Sequence, residues 1–367
     1  MPKHPLRQRI GREAVKFLLA RLLSWRPLTN PSDGFTIILG VPWDLRHLLN
    51  VNLRFVEKTD LSRLEKLFVV FDRRKKPEMA VIESKIRAEF SALPLDFLWY
   101  PPVSGAVIER VHVSTFYNSM NTTLALSKCN TKYAVLHDFD LYPLRPDHFT
   151  SIVLAMQSKN LRFSGHELTH FDGLTDDELQ IGTWALGVDV EWLRANYQPI
   201  DCFHRISEYH AREYNLDPFA WLQFQTSARG LTGKVDPSEF CHVKNLCSTY
   251  LRFIQNKPAK VAWRLHYLWY LEDLSGYTGR MKQIVRAMDS NSDGVLVVDS
   301  RRVCFSDVHA SCANVLRTEL LAMDHFLFGK TRDDTVTYLD SFESFIHRVG
   351  DNTELRESNG TIKWSPN

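Results

Sequence analysis

The sequence predicts an α/β protein built on a mostly parallel β-sheet with helices on both faces. Short apolar runs alternate four times with segments of helical periodicity, which is the pattern of buried parallel strands joined by helices. The 367 residues are enough for two domains. Hydrophobic residues make up 44% and charged residues 24%, values of an ordinary globular protein that exclude disordered and disulfide-dependent classes.

The first four strands are predicted from continuous apolar runs. The run at residues 35–41 follows a turn-rich segment that contains Pro31 and Gly34. The helices between the runs show apolar side chains three or four residues apart. The other three strands are predicted at residues 67–71, 96–100 and 133–137, and the helices at residues 44–57, 78–90 and 111–129.

The pattern continues beyond residue 140 and changes near residue 256. We expect helices at residues 147–157, 189–195 and 217–228, and strands at 161–165 and 181–188. Beyond residue 258 the only clear strand is 295–298, and the aromatic cluster at 263–270 is expected to be core. The predicted division is a basic amphipathic helix in residues 1–30, an α/β domain in 31–256 and a mainly helical region in 257–367.

The first 26 residues are strongly basic. Glu13 is their one acidic residue, whereas the chain as a whole has a net charge of only +2, which does not suggest a nucleic-acid partner. Apolar residues including Trp25 recur at helical spacing, as in helices that lie on a membrane surface. The alternative is a helix packed on the main domain with a solvated basic face. The seven basic residues are Lys3, Arg7, Arg9, Arg12, Lys16, Arg21 and Arg26.

Localisation is predicted from three absences. No apolar run approaches the roughly 20 residues that a membrane-spanning helix needs, and the first residues lack the pattern of a signal peptide. The six cysteines form no C-x-x-C pair, which favours reduced thiols. We therefore expect a cytoplasmic protein, peripheral at the inner face of the cytoplasmic membrane.

Asp138 and Asp140 give the strongest chemical signal. They follow the fourth predicted strand directly, and residues two apart on an extended chain point to the same side. The carboxyl ends of parallel strands open into the crevice where α/β proteins bind ligands. Two carboxylates there suit Mg²⁺ or Mn²⁺ together with phosphate oxygens. The alternative is a turn in which one carboxylate caps backbone amides.

This arrangement resembles the GT-A nucleotide-sugar glycosyltransferases, which carry a D-x-D at the end of the fourth strand. The resemblance covers about residues 36–250. It implies that Asp138 and Asp140 bind the metal and the donor diphosphate. The resemblance implies a donor site that also includes Val41, Pro42, Trp43, Asp72 and Asn121, and an acceptor side that includes Gly182, Thr183 and Trp184.

Inverting members of that family show an acidic residue that opens a helix, followed by a histidine. By this resemblance Asp217 would be the catalytic base and His242 the third metal or diphosphate ligand. The family has an acidic pair before the helix where this chain has Leu216 and Asp217, so Glu213 and Glu208 are the substitutes for the base. Two structural interpretations stay open, Asp217 as the N-cap of a helix and His242 as a core histidine.

The function predicted from these residues is a metal-dependent glycosyltransferase of polysaccharide biosynthesis. We expect a UDP-sugar donor, a glycan or lipid-linked acceptor, Mn²⁺ or Mg²⁺, and inversion by direct displacement. The first alternative is a haloacid-dehalogenase-type phosphatase, although that family has its Asp-x-Asp after the first strand and Thr or Val where Tyr142 stands here. The second is a non-catalytic sugar-binding protein on the same fold.

Two further segments partly match metal-binding motifs. The segment at residues 289–294 begins like a calcium-binding loop, but the twelfth position is Ser300 instead of the bidentate Glu, so we expect no calcium there. His309 lies next to an Asp-x-His pattern without further ligands at metal spacing, and we keep it as a substitute for His242.

Overall fold

The computed structural model describes residues 6–111, 114–166, 180–209, 212–227, 230–236, 239–257, 261–277, 279–291, 293–305 and 308–358. The chain divides into two compact units. Unit 1 comprises Met1–Arg46, Thr59–Leu141 and Arg145–Glu239, and unit 2 comprises His47–Lys58, Tyr142–Leu144 and Phe240–Asn367. The predicted boundaries after residues 30 and 256 stay predictions.

Unit 1 contains the large β-sheet. The first ten strands of the chain lie in unit 1, except that β5 continues from unit 1 into unit 2. They are β1 (Ser32–Val41), β2 (Leu64–Arg74), β3 (Leu95–Tyr100), β4 (Thr131–Asp138), β5 (Leu141–Pro143), β6 (Phe163–Gly165), β7 (Ala185–Asp189), β8 (Arg205–Tyr209), β9 (Arg212–Leu216) and β10 (Thr232–Lys234).

Seven of these strands form one sheet in the order β10-β6-β7-β4-β1-β2-β3. Strands β1 to β4 run parallel to one another, and β10 runs parallel to β6. Strand β7 runs antiparallel to both of its neighbours. The apolar runs predicted as strands occupy the buried middle of β1, β2 and β4, as parallel strands covered on both faces require. The predicted α/β class with a mostly parallel sheet is confirmed.

The helices alternate with the strands in unit 1 and dominate unit 2, to which α2 and the last five belong. They are α1 (Leu6–Leu22), α2 (Leu49–Glu57), α3 (Met79–Glu89), α4 (Pro102–Val111), α5 (Ser114–Lys128), α6 (His148–Lys159), α7 (Val190–Asn196), α8 (Ala220–Ser227), α9 (Leu246–Ile254), α10 (Leu265–Leu274), α11 (Arg280–Asp289), α12 (Ala310–Phe328) and α13 (Asp333–Ser358).

Several predicted elements begin elsewhere than expected. The helix predicted at 44–57 is a 3₁₀ helix over Trp43–Leu48 followed by α2, and the one predicted at 111–129 is two helices, α4 and α5. Helix α4 starts on Pro102, because proline has a suitable φ and needs no partner for a backbone N–H in the first turn. The strand predicted at 181–188 begins only at Ala185. The N-cap predicted at Asp189 is confirmed, since its carboxylate accepts the Trp192 N–H at 3.0 Å.

Helix α1 packs on unit 1 by one face. Leu19 is fully buried in a cluster with Phe116 and Phe203, and Val15 packs against the same cluster. Trp25 is also buried, and its indole N–H donates to the Tyr197 carbonyl at 2.7 Å. The pattern of the first 26 residues suggested that Trp25 faces a membrane. In the structure Trp25 is a core residue instead.

The described part of unit 2 is mainly helical and contains two small strand pairs. Strand β11 (Phe240–His242) pairs with β5, and β12 (Val295–Val298) pairs with β13 (Arg301–Cys304). Strand β13 was not predicted, because in it only Val303 is buried and the apolar signal is weak. Trp269 and Tyr270 are fully buried, which confirms that the aromatic cluster of α10 is core.

No described helix combines the length and apolar composition that crossing a membrane would require.

Candidate functional site

Asp138 and Asp140 lie at the carboxyl end of β4, where the sequence predicted them. A carboxylate oxygen of one lies within 4.8 Å of a carboxylate oxygen of the other. Phe139 between them is buried, and both aspartates are half-buried. The backbone fixes this turn further, because the Asp138 N–H donates to the Trp184 carbonyl at 2.9 Å. Two hard oxygen donors at this separation fit one divalent ion, since ligand distances to such ions are about 2.0–2.6 Å.

Asn121 packs against Gly40 next to the same strand end. Gly40 of β1 pairs with Asp138 of β4, and a Cβ built on Gly40 would lie 3.0 Å from Asn121 Nδ2. Asn121 is buried on α5, and its Oδ1 has no hydrogen-bond partner among the described residues. A buried acceptor without a partner is costly, so this oxygen is suited to receive a donor from a ligand or from water.

Asp72 and Trp43 form the neighbouring part of the site. Asp72 is the last but two residue of β2, and its Oδ1 accepts the Trp43 N–H at 2.8 Å. Burial raises the pKa of Asp72, against the lowering effect of Arg73, whose Nη1 lies 3.6 Å from the same oxygen. Val41 ends β1 in a buried position, and the Pro42 carbonyl accepts the Leu45 N–H at 2.9 Å.

A cavity of about 600 Å³ opens beside Trp43 in unit 1. Four consecutive cationic side chains contribute to its wall, although Arg74 is paired with Glu109 at 2.9 Å and Lys75 with Glu83 at 2.7 Å. The excess of positive charge and the aromatic rings suit a nucleotide, because cations attract phosphates and rings stack on bases. The lining residues are Trp43, Arg73, Arg74, Lys75, Lys76, Met79, Glu109 and Tyr117.

The basic run at residues 73–76 is visible in the sequence, but its composition alone assigns it no function. What would have identified it is its position directly after Asp72, at the carboxyl end of a parallel strand. Tyr117 and Glu109 reach the cavity from α5 and α4. No local sequence pattern marks these two side chains.

The segment predicted for the acceptor side is rigidly held. A Cβ on Gly182 would lie 2.1 Å from the Trp184 ring, so only glycine permits this packing, and Thr183 is buried. Gln223 of α8 holds the preceding residue, because its Oε1 accepts the Ile181 N–H at 2.6 Å and its Nε2 donates to the Ile181 carbonyl at 2.9 Å. The segment is thus tied both to Asp138 and to α8.

Asp217 lies between β9 and α8 and is half-buried. Burial raises the pKa of its carboxyl group. Helix α8 begins only at Ala220, and Phe219 before it has a φ of 65°. Asp217 is therefore not the N-cap of α8, and Pro218 is not in its first turn. The prediction that Asp217 is the N-cap of this helix is wrong.

The two substitutes for the base lie on one hairpin. Glu208 of β8 pairs with Glu213 of β9 in the antiparallel register. This register places both backbones at the same level of the hairpin, a few residues before Asp217.

His242 belongs to unit 2, where it ends β11 and is half-buried. Strand β11 pairs with β5, and β5 begins at the residue that follows Asp140 in the chain. His309 immediately precedes α12 in the same unit.

Comparisons with known proteins give distant structural similarities. Neither a protein-family model nor a curated protein matches the sequence. Residues 1–349 of S. aureus TarS match with a TM-score of 0.37 and 10% identity over 90% of this chain and 93% of that one. The mannosyltransferase PcManGT from Pyrobaculum calidifontis, in complex with GDP-Man and Mn²⁺, matches with a TM-score of 0.40 and 9% identity over 96% and 85%.

A third similar structure is the glycosyltransferase GlyE of Streptococcus pneumoniae, with a TM-score of 0.39 and 7% identity over 86% of this chain and 64% of that one. Because every TM-score is below 0.5, we transfer no substrate, ion or mechanism from them to this chain.

Proposed function

We propose that this protein is a metal-dependent glycosyltransferase that takes a sugar from a nucleotide-sugar donor. The observation that carries the proposal is the half-buried pair Asp138 and Asp140 at the carboxyl end of β4, in the same unit as a basic cavity beside Trp43. A metal-binding carboxylate pair and a cationic, aromatic cavity are what a nucleoside diphosphate requires.

The donor is proposed to bind with its base near Asp72 and Trp43. Asp72 engages one oxygen with the Trp43 N–H, which leaves further lone pairs to accept an N–H group of the base. A uracil ring offers one such group, and a UDP-sugar is therefore the donor that we test first. The cationic side chains at residues 73–76 supply attraction for the diphosphate.

Asp138 and Asp140 would hold Mn²⁺ or Mg²⁺, and we propose His242 as the third ligand. Support for His242 comes from the pairing of β11 with β5, the strand that begins directly after Asp140. When bound, the ion supplies Lewis-acid neutralisation of the charge that develops on the departing diphosphate.

Asp217 is proposed to accept the proton of the acceptor hydroxyl as that oxygen attacks the anomeric carbon. Its raised pKa makes it a stronger base than an exposed aspartate. Glu213 and Glu208 remain the substitutes. One base and a direct attack invert the configuration at the anomeric carbon. Gly182, Thr183 and Trp184 would border the acceptor, a glycan or a lipid-linked sugar.

A peripheral contact with a membrane is proposed for the outer face of α1. Ile10 and Phe17 are 60% exposed there, and the Arg21 guanidinium lies 4.1 Å from the Phe17 ring centroid. Exposed apolar side chains beside cationic ones suit an anionic lipid surface. Such a contact would place the enzyme at the cytoplasmic face of the membrane, near a lipid-linked acceptor of polysaccharide biosynthesis.

The test is thermal unfolding with UDP, GDP, CMP and dTDP in turn, each with and without Mn²⁺. A nucleotide at 100 times its Kd adds about 2.7 kcal/mol to the free energy of unfolding, which raises the Tm by a few degrees. We expect one nucleotide to do so only with Mn²⁺, and Asp140→Ala to remove the shift.

The matched control is Asp33→Ala, an exposed aspartate near the amino end of β1, which should keep the shift. If no nucleotide changes the Tm of the folded protein, the proposal fails. Release of phosphate from small phosphomonoesters would then favour the phosphatase. A nucleotide-dependent shift without sugar transfer to any acceptor would favour the non-catalytic sugar-binding protein.

A further inference from the structure

A second, much smaller cavity lies where α1 meets the start of β8. Its volume is about 100 Å³, and it shares no lining residue with the cavity beside Trp43. This is the volume that about three water molecules occupy in liquid water. The lining residues are Arg12, Glu13, His204, Arg205 and Ile206.

Both arginines of this cavity have a buried N–H group without a partner. Arg12 Nη1 and Arg205 Nε are buried, and neither has a hydrogen-bond partner in the described part of the chain. Burial also lowers the pKa of Arg205, although this arginine stays charged at neutral pH. Two guanidinium groups at one cavity, each with an unpaired donor, are unfavourable unless a negative group joins them.

Glu13 and Asp201 partly offset the effect of burial on the Arg205 pKa, but neither carboxylate bonds to the two unpaired N–H groups among the described residues. Glu13 is the one carboxylate among the five lining residues, and it accepts hydrogen bonds from Lys16 Nζ at 2.9 and 3.1 Å. Arg205 is held in place from two other directions. Its Nη2 donates to the Asp201 carbonyl at 3.2 Å, and its guanidinium lies 5.3 Å from the Trp221 ring centroid.

We propose that this cavity binds a tetrahedral phosphate group, either free phosphate or a terminal phosphomonoester, between Arg12 and Arg205. A phosphate offers several acceptor oxygens, and planar guanidinium groups match their geometry. Because the cavity borders α1, whose outer face exposes Ile10 and Phe17, the phosphate can come from a soluble molecule or from a lipid headgroup.

The experiment titrates the full chain with inorganic phosphate at constant ionic strength set by chloride, and follows both heat of binding and Tm. We expect saturable binding that raises the Tm. Arg12→Gln and Arg205→Gln should each weaken binding about tenfold or more, the value of one hydrogen bond to a charged group. Arg286→Gln, an exposed arginine on α11, removes the same charge and should bind phosphate as the unaltered chain does.

A second readout separates a binding role from a structural one. In phosphate-free buffer we expect the Tm of Arg12→Gln to equal or exceed that of the unaltered chain, because the substitution removes the repulsion between the Arg12 and Arg205 guanidinium groups. A lower Tm in that buffer, together with unchanged phosphate binding, would show that Arg12 is structural and overturn the proposal. Arg12→Lys, which keeps the charge, serves if the Gln variant fails to fold, and it should retain weak binding.

Vesicles distinguish the two sources of the phosphate. Stronger binding to vesicles that contain phosphatidic acid than to phosphatidylglycerol vesicles of the same charge, with competition by free phosphate, indicates a lipid headgroup. Binding of free phosphate without this preference indicates a soluble ligand. If phosphate acts no differently from chloride, or acts equally on all three variants, the cavity has no specific phosphate site and the proposal is wrong.

Discussion

Burial of the Asp217 carboxylate couples its charge to both stability and chemistry. Desolvation raises its pKa in the folded chain, because the charged form loses contact with water. The folded protein thus binds this proton more tightly than the unfolded chain, whose aspartates have a pKa of about 3.9. Ionisation of Asp217 lowers the free energy of unfolding as the pH rises from the unfolded-state pKa through the folded-state pKa. Below the unfolded-state pKa this cost is absent.

Asp217→Asn should therefore separate activity from stability. We expect turnover to fall about 10²- to 10⁴-fold, the contribution of a general base, while the Tm at pH 7 stays the same or rises because a buried charge is removed. The gain in Tm should disappear as the pH falls below about 3.9, where the aspartate is protonated in both states. Activity assays and unfolding curves across pH measure the two effects.

Asp236→Asn is the control for this change. Its side chain is 68% exposed and paired with Lys234, so the substitution should alter neither quantity. If Asp217→Asn keeps full turnover, the base is another carboxylate, and Glu213→Gln and Glu208→Gln then become the decisive variants.

At the scale of elements, one side chain joins α8 to the segment before β7. Gln223 is fully buried, and its amide makes both a donor and an acceptor bond with the backbone of Ile181. The same segment bonds to Asp138 through the Trp184 carbonyl. The position of the carboxylate pair therefore depends on a helix far away in the sequence.

Gln223→Ala should lower the free energy of unfolding by about 2–4 kcal/mol, because it leaves a buried N–H and a buried C=O of Ile181 unpaired. Chemical denaturation of the two chains measures the difference. Gln225→Ala is the matched control, since Gln225 is exposed on the same helix. It loses only an exposed hydrogen bond from Tyr197 Oη at 3.0 Å and should change stability by less than about 0.5 kcal/mol. Equal effects of the two substitutions would show that the Ile181 contacts contribute little.

At the scale of the whole molecule, the charge of the chain is unevenly distributed along the sequence. Seven basic residues precede position 27 in a protein whose net charge is only +2. The structure packs α1 on unit 1 through Leu19 and leaves Ile10 and Phe17 exposed. The packing of one face on the main domain is therefore confirmed, and membrane contact of the exposed face stays a prediction.

We expect the chain to sediment with vesicles that contain phosphatidylglycerol, and to be released by salt, since the Debye length falls from about 10 Å at 0.1 M to about 3 Å at 1 M. The double variant Ile10→Ser, Phe17→Ser should bind vesicles at least tenfold more weakly, because each apolar side chain contributes on the order of 1.5 kcal/mol or more when buried. The control pair Val81→Ser, Val103→Ser removes exposed apolar side chains elsewhere. Equal losses in both pairs would argue against a role for α1.

The amino-acid pattern alone was enough to predict the α/β class, the central strands and the position of Asp138 and Asp140. These features depend on local properties, because continuous apolar runs specify buried parallel strands and a polar residue at a strand end is placed by the strand before it. Element boundaries were less predictable. Neither the start of α8 at Ala220 nor the division between α4 and α5 follows from periodicity alone.

Contacts between distant segments could not be predicted and are set by tertiary packing. The pairing of Gly40 with Asp138, the clamp of Gln223 on Ile181 and the two arginines at the small cavity join segments that are tens to almost two hundred residues apart. Trp25 is core instead of membrane-facing for the same reason. Such contacts depend on the order of strands in the sheet and on the packing of helices against it, and a single sequence carries no local signal for either.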